Sequence, residues 1–511
     1  MARLSSLLAA GLGLLLSLTS VTAVPFPLDS DLTPPVTRPS ISSEQARREL
    51  GPLLSRKATI WGPGDNAFVN DTRRYQTLNI PDVKVLVQPG DEGDIAKIVK
   101  YANRNSIPFM AMNHRHAYTA SVGTFSGIQI DMSVLTDITI KPNKKTALFQ
   151  GGTYDAQVID YLWNRGFVTT TGSCGCVGML GPGLGGGHGR YQGLYGLISD
   201  NFVNLNVVLA DGSAVQVNEK SYPDLFWAMQ GAGHNFGIVT SFELKIYPRK
   251  VDTWYYRNYI FSGDQLETLF TAVNKLYKNG IPGVFAGSEG LYFMNPDTDK
   301  NNASILYSFI YAGPAKDAAP YLAPFDRIPH LSRVEGNVPY PEIAGIKGTD
   351  VDSALCAPGR THVKTTVNLL ELNVTTHRQL YDLFNAKIHE KPQLSEAVLT
   401  VELYSTEGVK KASGQKNSAF SQRDENILTF FDVPNSEKYN LTSYARDWAA
   451  QTHALWNAGQ PQRRPTTYVN YAAGGEKLEE MYGYDGQVPR LRALKKKYDP
   501  QNRFRFYNPI A

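Results

Sequence analysis

Three cysteines and one dense run of glycine hold the residues best placed to do chemistry. Cys174 and Cys176 stand two positions apart inside Gly172–Asn201, GSCGCVGMLGPGLGGGHGRYQGLYGLISDN, and Cys356 lies far along the chain. Three cysteines cannot all pair within one secreted chain. One reading is a single disulfide plus a buried thiol; the sharper one is a thiol kept for chemistry, with Cys174 the candidate. Glycine this dense excludes an ordinary helix or strand, because each one frees φ at an entropic cost. Such a stretch suits a loop laid against something flat or phosphorylated, and so a large cofactor. A turn-rich surface loop is the alternative. Gly181-Pro182-Gly183-Leu184-Gly185-Gly186 has the spacing G-x-G-x-x-G. Pro182 interrupts it, more glycines follow and no amphipathic helix begins, so it is not read as a Rossmann fingerprint. His188 has no partner set at ligand spacing, and no metal is expected.

With 511 residues the chain is long enough for more than one domain. A charged fraction of 19% and a hydrophobic fraction of 42% are ordinary for a globular protein. A net charge of +4 gives no sign of nucleic-acid binding. Arg3, the apolar run Leu7–Leu18 and Val21-Thr22-Ala23 read as a signal peptide over 1–23. That run is short for a transmembrane span, and no later stretch qualifies. Sequons at Asn70, Asn302, Asn373 and Asn440 agree with a secreted or lumenal protein.

The elements that must position these residues follow from periodicity. A proline-rich linker and a short helix near Ser43–Leu54 fill 24–74. A first domain is expected over 75–250. Strands are expected at Val83–Val87, Pro108–Met112, Ile128–Asp131, Ala147–Gln150, Phe167–Thr170 and Gly237–Ile246, with helices at Asp91–Asn103 and Tyr154–Trp163. Asp211-Gly212 marks a hairpin between Leu205–Leu209 and Ala214–Val217. From 251 to 465 longer strands, such as Trp254–Phe261, Ser304–Tyr311 and Ala397–Tyr404, alternate with helices and the glycine density falls. The segment 466–511 adds two helices, and Lys495-Lys496-Lys497 reads as a solvated helix face. The fold class is α+β.

Five stretches together carry a family resemblance: Asn113–Tyr118; Gly172–Asn201; Leu225-Phe226-Trp227 with Gly231–Thr240; Tyr468-Val469-Asn470-Tyr471; and Tyr498-Asp499-Pro500 through Phe504 to Pro509. In these the chain resembles flavin-dependent oxidases of the vanillyl-alcohol oxidase type and, among them, the berberine-bridge-enzyme-like branch. The resemblance covers nearly everything after the signal segment. It implies a two-subdomain FAD-binding domain, a substrate domain with an antiparallel sheet covered by helices, and a C-terminal segment returning to the FAD domain.

The resemblance also assigns chemistry. His116 stands where relatives bond the flavin 8α-methyl, and Cys174 where they bond carbon 6. Two bonds would raise the flavin potential. Taken alone, His116 would read as a satisfied histidine. Cofactor contacts are implied for Asn113, His114, Arg115, His116 and Ala117; for Gly172, Ser173, Cys174, Val177, Gly178, Gly181, Gly185, Gly186, Gly187, His188 and Gly189; and for Asp200, Asn201, Gly237, Ile238, Val239, Asn470 and Asn508. His114 and Arg115 depart from the small residues usual before the attached histidine, so Arg115 would either contact phosphate or crowd the loop. The catalytic candidates are Tyr468, Tyr118, Glu402 and Asn470. A tyrosine base would need a depressed pKa near neutral pH, and a tyrosine that only lines the pocket is the alternative. Val177 goes with oxidases that use O₂. The expected partners are a small organic substrate and O₂, acting on a monomer with no membrane span. A carbohydrate oxidase, a redox-neutral cyclase and a flavin-carrying binding protein are the alternatives.

Overall fold

Alternation along the long strands sorts the chain into a core side and a cavity side, because successive side chains point to opposite faces. In Ser304–Tyr311 the residues Ile305, Tyr307 and Phe309 are buried in a large core, and in Val398–Leu403 the residues Leu399, Val401 and Leu403 join them. The intervening Ser308, Ile310, Val398, Thr400 and Glu402 line a cavity. The computed structural model describes residues 41–278, 280–413, 418–425 and 427–511, so the expected signal peptide and the linker at 24–39 lie outside the described residues.

The sheet that makes this division is eight-stranded and antiparallel. Its order is Ser332–Val338, Trp254–Phe261, Ser304–Tyr311, Phe285–Phe293, Val398–Leu403, Ile427–Pro434 and His362–Thr365, with Asn368–Leu369 pairing on Ile427–Pro434. Residues of Leu266–Lys278, Ala315–Asp326, Val374–Glu390 and Thr442–Ala458 pack the core on its covered face.

The first lobe holds two smaller sheets. One is four-stranded: Asp82–Gln88, Ser126–Asp131 and Phe109–Met112 run parallel, with Thr59–Trp61 antiparallel on its edge. The helix Gly93–Arg104 buries Ile95, Ile98, Val99 and Ala102 in the core of this lobe, the stripe expected from the sequence. The other sheet is five-stranded and antiparallel, in the order Ile138–Ile140, Thr146–Gln150, Ile238–Lys245, Phe202–Val208 and Ala214–Val217.

Several expectations are corrected. The lobe opens before Tyr75: Ile41, Ala46, Leu50 and Ile60 are part of its core. Three residues of strand at Thr59–Trp61 are too few to show a period. Strand Phe167–Val168 stops short of Thr170 and pairs only with Tyr247–Pro248. The glycine stretch contains two short helical turns, Leu180–Leu184 and Gln192–Tyr195. Lys495 is not solvated. Its ammonium is buried and donates to Asp499 (2.7 Å) and to the carbonyls of Asn235 and Phe504 (2.8 and 2.7 Å). It ties the C-terminal helix Gln487–Tyr498 to the first lobe, whose core also holds Met481, Val488 and Leu491. The asparagines of all four sequons are exposed. Among the described residues no helix is long and apolar enough to cross a membrane.

Candidate active site

The cysteine loop is stitched to both lobes. Gly172 N–H donates to Asp155 Oδ1 (3.1 Å), at the start of the helix Asp155–Trp163. From the lobe of the eight-stranded sheet, the Thr349 carbonyl accepts from Gly175 N–H (2.7 Å) and Thr349 Oγ1 donates to the Ser173 carbonyl (3.1 Å). Cys176 is bonded to Cys356 across 180 residues, and Cys174 is the free cysteine. The Cys174 sulfur lies 3.6 Å from that of Cys176 and 3.9 Å from that of Cys356, and the residue lines the cavity. Burial, with the Asp155 carboxyl nearby, pushes its thiol up to about 11.

Part of the glycine stretch serves close packing. A Cβ on Gly185 would meet the Asn470 amide, on Gly186 (φ +102) the Phe420 ring, on Gly187 (φ +86) Ile198, and on Gly189 the Thr171 carbonyl. Asp200 is paired with Arg423 (2.7 Å), Asn201 donates to the Leu197 carbonyl (2.8 Å), and Asn508 donates to the Val469 carbonyl (2.8 Å). These seven residues are thus engaged with protein atoms. Gly181 differs: a Cβ there would meet nothing within 4 Å.

The histidine segment leaves the parallel sheet at Met112. Asn113, His114, Arg115, His116, Ala117 and Tyr118 all line the cavity. The backbone N–H groups of 114–118 have no protein acceptor among the described residues. The Arg115 guanidinium donates to the Asp71 carbonyl (2.8 Å) and lies 3.9 Å from Asp131, and its backbone is left-handed at φ 64. The His114 ring packs on Tyr154 at 4.6 Å. His116 stacks on Tyr75 (4.6 Å), which stacks on His362 (4.7 Å), whose Nδ1 is 2.9 Å from Asp432. Burial, then the cations around it, pulls His116 down to about 3, so the ring is neutral at physiological pH.

Glu402 is the carboxylate of the facing wall. Tyr404 donates to its Oε2 (2.9 Å) and Tyr471 to its Oε1 (3.0 Å). Burial, then Glu289 directly across the sheet, pushes it up to about 7. Tyr468 lies behind a different set of bonds. Its oxygen accepts from Asn470 Nδ2 (2.6 Å) and from His188 N–H (3.3 Å), and burial takes the phenol up to about 12. Tyr118 carries the Lys364 ammonium 3.4 Å over its ring, and burial raises its phenol well above the ordinary value. Neither tyrosine has the depressed pKa that a base near neutral pH needs. His188 Nδ1 is 2.9 Å from Gln192 Oε1.

Sequence reasoning passed over several wall residues. Tyr471 closes the Tyr468–Tyr471 motif, and Tyr404 stands two positions after Glu402 at the strand end, a spacing that puts both on one face. Asp155, Arg190, Lys347 and Asp432 carry no local signal.

The cavity has a volume of about 640 Å³ and runs between the lobes, from Phe504 and Phe506 past His116 and Cys174 to Glu402. That size lies within the range of cofactor sites, roughly 300–1,000 Å³. The unengaged N–H groups of 114–118 suit a pyrophosphate. Gly181 leaves the wall open, and Asn113 Oδ1 is buried without a partner. The donor set therefore fits a flavin dinucleotide.

Comparison with known proteins agrees. Residues 83–218 match the model of an FAD binding domain, and 467–511 match that described as berberine and berberine like. The chain is 50% identical over 477 residues to the FAD-linked oxidoreductase anuG of Penicillium roqueforti, covering 93% of this chain and 94% of that protein. Physcomitrella patens BBE-like 1 superposes with a TM-score of 0.76 at 21% identity, over 90% of this chain and 98% of that one. A glucooligosaccharide oxidase from Acremonium strictum, whose structure is titled for a 6-S-cysteinyl, 8α-N1-histidyl FAD, superposes at 0.74 with 20% identity, over 90% and 98%. This chain belongs to the berberine-bridge-enzyme-like FAD-linked oxidoreductases.

Proposed function

We propose that the protein is a secreted oxidase of small organic molecules, and that Glu402 takes the substrate proton. The carrying observation is the carboxyl of Glu402, exposed to the cavity, held by two tyrosines and poised at about 7. A base poised near working pH combines availability with driving force. FAD, when bound, accepts hydride from the substrate carbon and passes the electrons to O₂ as H₂O₂. Glu402 removes the neighbouring O–H or N–H proton, and Tyr404 and Tyr471 orient its two oxygens. His116 and Cys174 would hold the flavin covalently. Support comes from the place of both nucleophiles on the cavity wall and from the histidyl and cysteinyl linkages named for the Acremonium strictum oxidase. Secretion is supported by the disulfide, the exposed sequons and the N-terminal apolar run.

The test is acid precipitation of the purified protein, followed by peptide mass mapping. The expected result is a yellow pellet with flavin mass on the peptides of His116 and Cys174. A colourless pellet with FAD in the supernatant would overturn covalent attachment, and no flavin in either fraction would overturn the oxidase reading itself. Release of H₂O₂ on a panel of alcohols, amines, sugars and phenols, lost in Glu402→Gln, tests the base.

A further inference from the structure

Arg190 is only 6% exposed and forms part of the cavity wall. Its Nη1 donates to the Ser173 carbonyl at 3.0 Å. Among the described residues no carboxylate comes within ion-pair distance of it, and its remaining N–H groups are neither matched by a protein acceptor nor sealed away from the cavity. The Tyr340 hydroxyl lies beside it, with Thr171 as its other polar neighbour. Other buried guanidiniums are paired: Arg257 with Asp326 (2.8 Å) and Glu335 (2.6 Å), and Arg423 with Asp200 (2.7 Å). Arg74 also lacks a carboxylate, but it does not line the cavity.

A guanidinium cannot shed its proton, and burying one unpaired is costly. A chain that keeps such a group on a ligand cavity has its counter-charge arriving with the ligand. The nearby acids do not supply it. Asp155 and Glu402 face the same cavity, but neither carboxylate comes within ion-pair distance of the guanidinium; Asp155 is instead bonded to Gly172 N–H and Glu402 to Tyr404 and Tyr471.

The location favours substrate as the occupant. The Ser173 carbonyl that fixes Arg190 also accepts from Thr349, on the substrate-lobe loop that carries Lys347. Lys347 lines the same cavity and spends its charge on Glu289 at 2.9 Å. Among the described residues Arg190 is thus the cation at this junction without a paired carboxylate. We propose that Arg190 is the recognition group for a carboxylate carried by the substrate, gripped in the two-pronged geometry a guanidinium offers. This rests on the reading of the cavity as a substrate site. It makes the substrate class an organic acid, with the carboxylate on Arg190 and the reacting O–H or N–H presented to Glu402.

The test is calorimetric titration of the flavin-containing protein with benzoate and with benzamide, its neutral isostere. Benzoate is expected to bind at least about tenfold more tightly, the factor a charged hydrogen bond commands. Arg190→Gln is expected to abolish that difference while leaving benzamide unaffected, and Arg190→Lys to retain part of it. Equal binding of the two probes, no binding of benzoate up to its solubility limit, or an equal loss of both in Arg190→Gln would each overturn the proposal. The wild-type ratio decides the matter even where Arg190→Gln does not fold. Heat is read rather than turnover, so a flavin-containing protein that releases no H₂O₂ from any substrate would sink the oxidase reading and leave this measurement standing.

Discussion

Removing the Cys176–Cys356 disulfide should weaken the protein mainly by freeing its unfolded chain. The bond closes a loop of 180 residues. In the chain-entropy model a loop of that length is worth about 5 kcal/mol at 25 °C. Cys356→Ser alone is an unsafe perturbation, because the released Cys176 sulfur lies 3.6 Å from Cys174 and a new pair could form. The double variant Cys176→Ser with Cys356→Ser avoids this. Its native contacts survive, since the bonds from Gly175 and Thr349 that join the same two loops are untouched. Unfolding entropy near ~2.1 cal/mol/K per residue amounts to about 1 kcal/mol/K for the folded part of this chain, so the melting temperature should fall by about 5 °C. Scanning calorimetry at matched scan rates measures it. A shift under about 1 °C would refute the reasoning, because it would mean that the unfolded chain gains nothing from release of the loop. A much larger drop would show that the bond holds the native lobes together directly.

Three further outcomes are expected from two substitutions. Glu402→Gln should lower turnover on any substrate found by about 10²–10⁴ and remove a rise in rate with pH centred near 7. The folded pKa of Glu402 lies above its ordinary 4.5. Folding therefore penalises the ionised form increasingly as pH rises from about 4.5 to 7. The same variant should melt higher than wild type at pH 8 and no higher at pH 4. Gly189→Ala should cost about 3 kcal/mol in denaturant titration: its Cβ would sit 1.7 Å from the Thr171 carbonyl, and backbone cannot swing aside as a side chain can. Unchanged stability would refute the close approach of Gly189 to the Thr171 carbonyl.

What the sequence determined by itself was whatever is written in short runs. The asymmetric cysteine count already required an unpaired sulfur, and Cys174 proved to be the free one. The stripe of Ile95, Ile98, Val99 and Ala102 placed its helix to within two residues at either end. The strand expected at Ala397–Tyr404 is present as Val398–Leu403, and its alternation sends Val401 and Leu403 into the core and Glu402 to the cavity. Local periodicity carries this information because side-chain direction depends only on the backbone a few residues away.

Only the tertiary structure decided which chemistry-bearing residues meet. The strand pairing that sets Glu289 opposite Glu402, the approach of Tyr471 to that carboxyl, and the choice of Cys356 for Cys176 join residues tens to hundreds of positions apart. Nothing local records such distances. The same limit explains the glycines. Composition showed that Gly185, Gly186, Gly187 and Gly189 were needed for close approach, but not that the groups they approach include Asn470, Phe420, Ile198 and Thr171. It also explains Lys495, which looks solvated in a run of lysines until Asp499, Asn235 and Phe504 close over it. Burial is a property of the packed whole, and with it come the pKa of Glu402 and the bare charge of Arg190.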